Sequence, residues 1–138
     1  MPILTAVVNH PFWQRGGLLI ARLIIAAIFA MASFFKFKDI GGTAGYIANA
    51  GFPMPMVLAW LAAIFELLMV LAFLTGILMR EAALLAAIYI LFLAFSFHGP
   101  SGWEANQMEF GVFVDHFTFT AGLLYMVAFG PGPLGIRR

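Results

Sequence analysis

The chain has 138 residues, of which 64% are hydrophobic and 9% charged, with a formal net charge of +1. A typical soluble domain is about 45–50% apolar and about 25% charged, so this composition excludes an ordinary soluble domain. It also excludes a disordered chain and a nucleic-acid-binding protein, which needs a basic face. With no cysteine, the chain forms no disulfide and binds no metal through thiolates. Redox chemistry would therefore need a quinone, another non-covalent cofactor or a partner.

Four segments are long and apolar enough to cross a hydrocarbon core, which takes about 20 helical residues. They are predicted at about 17–35, 54–78, 81–97 and 111–129, each bounded by charge, Gly or Pro. Backbone polar groups in lipid must bond within the chain, so these spans are expected to be α-helices. The sequence predicts an all-α integral membrane protein, a four-transmembrane-helix bundle forming a single domain over residues 1–138.

The first segment has features of a signal peptide, because Arg15 precedes an apolar run and residues 30–32 mimic a cleavage site. However, Arg22 interrupts the apolar run, and Phe34 and Phe35 extend it beyond that site. We therefore expect a retained first transmembrane helix.

The first loop predicts a short interfacial helix over about 39–51, with an ordinary connecting loop as the alternative. Thr43 is a candidate N-cap for this helix, and Gly51 is a candidate for its end.

The basic residues of the short loops indicate how the bundle is oriented. One side carries Arg15, Arg80, Arg137 and Arg138, and the opposite side carries Lys36 and Lys38. This asymmetry predicts that both termini are cytoplasmic.

Arg22 and Glu66 are among the charged residues that lie within the predicted spans, where each costs roughly 2.5–3.5 kcal/mol on insertion scales. Glu66 falls near the middle of the second span, and Arg22 is the nearest cation by depth. We predict an Arg22–Glu66 pair, with Tyr89 of the third span as a further hydrogen-bond donor to Glu66. The pair is either structural or makes these two residues catalytic candidates, with Glu66 contacting a quinone or relaying protons. The alternative is an unpaired, protonated Glu66.

A second group of polar residues gathers on the non-cytoplasmic side. Candidates to contact a quinone head group are Lys36, His98, Trp103, Asp115 and His116. An N-terminal position on the fourth helix would by itself explain Asp115 through the helix dipole. The histidines and carboxylates of this side could also bind a metal, but they form no close-set ligand motif, and no metal site is predicted. Ordinary interfacial residues are the remaining interpretation.

Several short motifs occur in a characteristic order along nearly the whole chain. They are Arg22-Leu23, Lys36-Phe37-Lys38-Asp39, Gly42-Thr43-Ala44-Gly45-Tyr46-Ile47-Ala48, Gly51-Phe52-Pro53-Met54-Pro55, Leu58-Ala59-Trp60-Leu61-Ala62, Glu66-Leu67 and Phe129-Gly130-Pro131-Gly132. Together they resemble the DoxX family of small four-helix bacterial membrane proteins. The chain departs from that pattern at Asp115-His116, where many members carry a Lys-Asn pair.

The resemblance implies a bacterial inner-membrane location and a link to membrane redox complexes, oxidative-stress responses and quinone chemistry. The leading hypothesis is a quinone-linked redox system, in which this chain is a quinone-handling component or an oxidoreductase subunit. The alternative is a non-catalytic accessory or assembly subunit of a larger membrane complex, favoured by the lack of a cofactor motif. A third hypothesis is a small-molecule transporter. Expected partners are the lipid bilayer and other membrane subunits or further copies of this chain.

Overall fold

A computed structural model describes residues 1–136, which contain helices and turns and no β-strand. The elements are α1 (Pro2–Val8), a π-helical turn (Trp13–Gly17), α2 (Leu18–Lys38), α3 (Ile40–Asn49), α4 (Pro55–Thr75), α5 (Met79–Phe97), a 3₁₀ turn (Pro100–Gly102) and α6 (Gln107–Phe129). Helices α2, α4, α5 and α6 are each long and apolar enough to cross a membrane. The prediction of an all-α, four-span protein is confirmed.

Most helix boundaries differ from those predicted by one to four residues, and two of the differences have a clear local cause. Helix α4 ends at Thr75 because Gly76 adopts a left-handed φ of 81°. Helix α6 begins at Gln107 because the Asn106 side chain accepts from the N–H of Met108. Asp115 therefore lies more than two turns inside α6, so an explanation from the N-terminal dipole is wrong.

The predicted helix in the first loop is present as α3, but its N-cap differs from the one predicted. Asp39 is the cap, since its Oδ1 accepts from the N–H of Gly42 at 2.8 Å. The Thr43 hydroxyl instead donates to the backbone carbonyl of Asp39. At the other end, Gly51 has a φ of 84° and donates its N–H to the carbonyl of Ala48. The prediction that Gly51 ends this helix is confirmed.

The four spans form two antiparallel pairs, α2 with α4 and α5 with α6, and α3 packs against α4. The first pair is held in register by the Ser33 hydroxyl, which donates to the carbonyl of Ala63 at 3.0 Å. In the second pair, Arg80 Nε donates to the carbonyl of Val127 at 2.7 Å. The centre is filled by Phe29, Phe73, Leu123 and a row of buried alanines. Small residues at these contacts let the helices approach closely.

The bundle has two distinct ends. The α3 end carries α3 and the α5–α6 connection, and the tail end carries the α4–α5 turn and residues 130–136. The prediction that both termini are cytoplasmic uses Arg137 and Arg138, which lie outside the described residues, and it stays a prediction.

Candidate functional site

Arg22 does not pair with Glu66, so the predicted Arg22–Glu66 contact is wrong. Arg22 is 1% exposed, and its guanidinium donates to three backbone carbonyls. Its Nε lies 2.9 Å from the oxygen of Phe73, Nη2 lies 2.8 Å from that of Leu74, and Nη1 lies 3.0 Å from that of Pro131. Arg22 thus joins α2 to the C-terminal end of α4 and to the tail.

The register of α2 against α4 explains why a different cation reaches Glu66. Measured from the Ser33–Ala63 contact, Lys36 and Glu66 are displaced in opposite directions by about 4.5 Å each along the helices. Arg22 lies on the same side of that contact as Glu66, but about 12 Å further along the axis. Because helical side chains tilt toward the N-terminus of their own helix, Lys36 and Glu66 in antiparallel helices point toward each other. Arg22 and Glu66 point apart for the same reason.

The role of Arg22 follows from the end of α4, whose last four carbonyls have no partner within the helix. Arg22 binds two of them, those of Phe73 and Leu74. The N–H of Gly76 binds the carbonyl of Ala72 at 2.8 Å, and the N–H of Ile136 binds that of Thr75 at 3.0 Å. All four carbonyls are satisfied, and a cation at a helix C-terminus also complements the helix dipole. This capping accounts for a buried arginine in the first span.

Glu66 is paired with Lys36 and Tyr89 near the α3 end. Its Oε1 lies 2.9 Å from Lys36 Nζ and accepts from the Tyr89 hydroxyl at 2.8 Å. The predicted Tyr89–Glu66 hydrogen bond is therefore confirmed. The Glu66 side chain is 2% exposed and that of Lys36 is 24% exposed, and the second carboxylate oxygen of Glu66, Oε2, has no hydrogen-bond partner. The ammonium is thus the accessible member of the pair.

An aromatic cavity of about 750 Å³ lies beside this pair, enclosed by α2, α3, α4 and α5. Its aromatic walls comprise Phe35, Tyr46, Phe52, Phe65, Tyr89, Phe92 and Phe97. The rings of Tyr46 and Phe97 stack with centroids 5.1 Å apart. Lys36 and His98 also line the cavity, so cationic and hydrogen-bonding groups meet flat apolar surfaces there.

Tyr46, on α3 outside the spans, is a neutral polar group at the rim of this cavity. Partial burial raises the pKa of its hydroxyl above the ordinary value, and the negative charge of Glu109 raises it further. Since an ordinary tyrosine titrates near pH 10, Tyr46 keeps its proton at neutral pH. It can therefore donate as well as accept a hydrogen bond.

A second depression, which we call the Glu66 cleft, lies between α2, α5 and α6 with Glu66 of α4 on its wall, and has a volume of about 580 Å³. Its polar residues are Lys36, Glu66, Asp115, His116 and Thr118. Because Lys36 lines this cleft as well as the aromatic cavity, the Lys36–Glu66 pair separates the two.

The connection between α5 and α6 brings His98 close to Glu109 and His116. His98 Nδ1 lies 2.6 Å from Glu109 Oε2, and the rings of His98 and His116 are 5.1 Å apart. His116 Nδ1 donates to the carbonyl of Val112 at 2.7 Å, and Trp103 Nε1 donates to that of His98 at 2.9 Å. Within residues 1–136 there is no group of three or more His, Cys, Asp or Glu side chains able to hold a metal ion.

Four of the five predicted quinone contacts line one or both of these two surfaces. Lys36 and His98 line the aromatic cavity, whereas Asp115 and His116 line the Glu66 cleft together with Lys36. Trp103 lines neither of them and bonds to the backbone of His98. Sequence reasoning missed the aromatic walls, whose rings come from α2, α3, α4, α5 and the α3–α4 connection and come together only in the fold.

The structure is that of a small multi-pass integral membrane protein. It has four apolar helices with polar side chains between them, and the carbonyls at the end of α4 are all hydrogen-bonded. The sequence model of the DoxX family matches residues 17–99, and the chain belongs to that family. It is 31% identical over 125 residues to Inner membrane protein YqjF of Escherichia coli K12, covering 88% of this chain and 90% of the relative. It is 30% identical to Inner membrane protein YphA of the same organism, covering 88% of each chain. No solved structure matches the chain.

Proposed function

We propose that this protein is a quinone-handling component of a bacterial inner-membrane redox system and binds a quinone head group in the aromatic cavity. The observation that carries the proposal is the Lys36 ammonium, held 2.9 Å from Glu66 Oε1 on the wall of an aromatic-lined cavity. The inner-membrane location is supported by the names of the two Escherichia coli relatives.

The hydrogen-bonding capacity of Lys36 suits a quinone, whose two carbonyl oxygens only accept hydrogen bonds. An ammonium carries three donors, and contact with Glu66 occupies one of them. The remaining donors of Lys36 are available to a ligand. The Tyr89 hydroxyl is not, because it already donates its hydrogen to Glu66. Lys36 is therefore the principal donor that a quinone carbonyl would meet from the span side of the cavity.

The shape and surface of the cavity suit a flat, apolar ring. Its volume of about 750 Å³ lies within the range of about 300–1,000 Å³ usual for small-molecule sites. Aromatic pairs favour offset stacking, and the stacked rings of Tyr46 and Phe97 present such faces. In this arrangement Glu66 is a positioning residue, because it fixes the ammonium without facing the ring itself.

The proposal is tested by quinone binding to the purified protein in lipid nanodiscs, with decylubiquinone as the probe. The double variant Lys36→Met/Glu66→Gln removes both charges, which avoids leaving an unpaired buried carboxylate. Loss of a charge-assisted hydrogen bond of about 1.5–3 kcal/mol predicts at least a tenfold weaker Kd. Lys38→Met is the matched control, since Lys38 is exposed on the same helix and should bind as the wild type does.

An unchanged Kd in the double variant would refute the proposal. Mass spectrometry of lipids and proteins that copurify with the native protein gives a second readout. Quinone retained by the wild type and lost in the double variant supports the proposal. Stoichiometric copurification with a larger complex, without quinone binding, would instead identify the chain as a non-catalytic accessory subunit.

A further inference from the structure

The unpaired oxygen of Glu66 is a feature that the quinone proposal does not use. Buried polar atoms almost always have a hydrogen-bond partner, so an exception calls for an explanation. Oε1 already accepts from Lys36 and Tyr89, whereas Oε2 is buried and has no partner. Glu66 also forms part of the wall of the Glu66 cleft. A ligand in that cleft could therefore supply the missing donor.

The other polar groups of the cleft restrict the charge of such a ligand. Asp115 is a second carboxylate on the wall, and His116 Nδ1 already donates to the carbonyl of Val112. An anion would be repelled by the two carboxylates. A cation at Oε2 would lie close to the ammonium of Lys36, which is 2.9 Å from Oε1 of the same carboxylate. A neutral hydrogen-bond donor, such as a hydroxyl group, is repelled neither by the carboxylates nor by the ammonium.

The apolar part of the cleft indicates the rest of the ligand. Phe29 and Phe119 line it beside the polar end, with ring centroids 5.7 Å apart. An adjoining groove of about 310 Å³ shares Ile24, Ile25 and Gly122 with the cleft and reaches Leu18 and Phe129 toward the tail end. Together they form an apolar track between α2 and α6 along much of the membrane span.

We infer that the Glu66 cleft binds a membrane-soluble phenol with an apolar tail. The phenolic hydroxyl donates to Glu66 Oε2, the ring lies against the phenylalanines of the cleft, and the tail follows the α2–α6 track. The α6 side of this site, lined by Asp115, His116 and Phe119, is separate from the aromatic cavity, although Ala32, Lys36 and Leu93 line both. Its test therefore does not depend on whether the aromatic cavity binds a quinone.

A pair of photoreactive probes tests this inference on the protein in lipid nanodiscs. One is a benzophenone with an alkyl chain and a free phenolic hydroxyl, and the other is its methyl ether, which lacks the donor. We expect the phenol to label α2 and α6 peptides of the cleft at least tenfold more than the ether does. That ratio corresponds to about 1.4 kcal/mol.

Two substitutions of glycine in α6 provide a matched pair of variants. A Cβ at Gly122 would lie 3.8 Å from Ile25 Cδ1, so Gly122→Leu is tolerated by the backbone but fills the track. A Cβ at Gly111 meets no atom within 4 Å, so Gly111→Leu makes the same change on the same helix outside the cleft. Labelling of the cleft by the phenol should fall at least tenfold in Gly122→Leu and remain unchanged in Gly111→Leu.

Three results would each overturn the inference. These are equal labelling of the cleft by the phenol and its ether, phenol labelling confined to the aromatic cavity, and cleft labelling that survives in Gly122→Leu. Ala62→Leu separates this outcome from failure of the quinone proposal, because Ala62 lines only the aromatic cavity of the two sites. It should weaken decylubiquinone binding and leave phenol labelling of the cleft intact.

Discussion

Removing the charge of Lys36 or of Arg22 should affect Glu66 to very different extents. Lys36 Nζ contacts Glu66 Oε1 at 2.9 Å, so Lys36→Met leaves a buried carboxylate with Tyr89 as its remaining protein donor. Breaking a fully buried pair costs about 3–5 kcal/mol. Because the Lys36 side chain is 24% exposed and solvent screens part of the attraction, we expect a loss of about 2 kcal/mol. The double variant Lys36→Met/Glu66→Gln should recover most of it.

Arg22→Gln should destabilise the protein by at least about 2 kcal/mol, because it weakens three hydrogen bonds to carbonyls. That loss should be independent of Glu66, since residues without contact or shared partners have additive effects within about 0.5 kcal/mol. The double variant Arg22→Gln/Glu66→Gln should therefore lose the sum of the two single losses.

The assay is reversible unfolding in mixed micelles titrated with a denaturing detergent, followed by circular dichroism. Each double-mutant cycle compares the wild type, two single variants and the double variant under identical conditions. A coupling energy of about 1–2 kcal/mol for Lys36 with Glu66, and near zero for Arg22 with Glu66, is the expected result. The reverse pattern, or equal coupling in both cycles, would refute the register argument.

Four further predictions concern the ends of the helices and α3. Gly76→Ala should destabilise the protein by at least about 1–2 kcal/mol in the same assay, because φ is 81° and its Cβ would lie 2.9 Å from the Cα of Gly135. Gly45→Ala, with no atom within 4 Å of its Cβ, should stabilise by about 0.5–1 kcal/mol, and a loss there would contradict the assignment of α3. Asp39→Ala should cost about 1 kcal/mol and speed amide hydrogen exchange in the first turn of α3. Spectrophotometric titration should find that Tyr46 ionises at higher pH than a free tyrosine, with Glu109→Gln lowering its pKa toward the ordinary value.

The spans were predictable because hydrocarbon solvent imposes one strong rule, that the backbone must satisfy its own polar groups. Glycines and prolines in the sequence predicted most helix ends to within a few residues. Other helix ends lie elsewhere than predicted because a side chain caps the helix there. Asn106 starts α6 earlier than hydropathy indicates, and Asp39 caps α3 where Thr43 was expected. A side-chain cap is chosen by local geometry, which composition does not encode.

The site was less predictable because contacts between helices depend on register. Depth alone identified Arg22 as the partner of Glu66, whereas the tilt of side chains on antiparallel helices selects Lys36. The aromatic cavity depends on α3 lying against α4, which brings Tyr46 beside Phe97. No periodicity within one helix reports such a contact, although the polar residues around the site were found from the sequence.

The end of α4 has a consequence for how the chain is made. Arg22 binds the carbonyl of Pro131, 109 residues later in the sequence, and the N–H of Ile136 donates to the carbonyl of Thr75. Contacts between such distant residues form late, because the intervening chain must first be ordered. During synthesis, α2 and α4 therefore emerge long before Pro131 and Ile136 have been added to the chain. Part of the α4 end in the first helical pair therefore stays uncapped in the membrane until Pro131 and Ile136 have been translated.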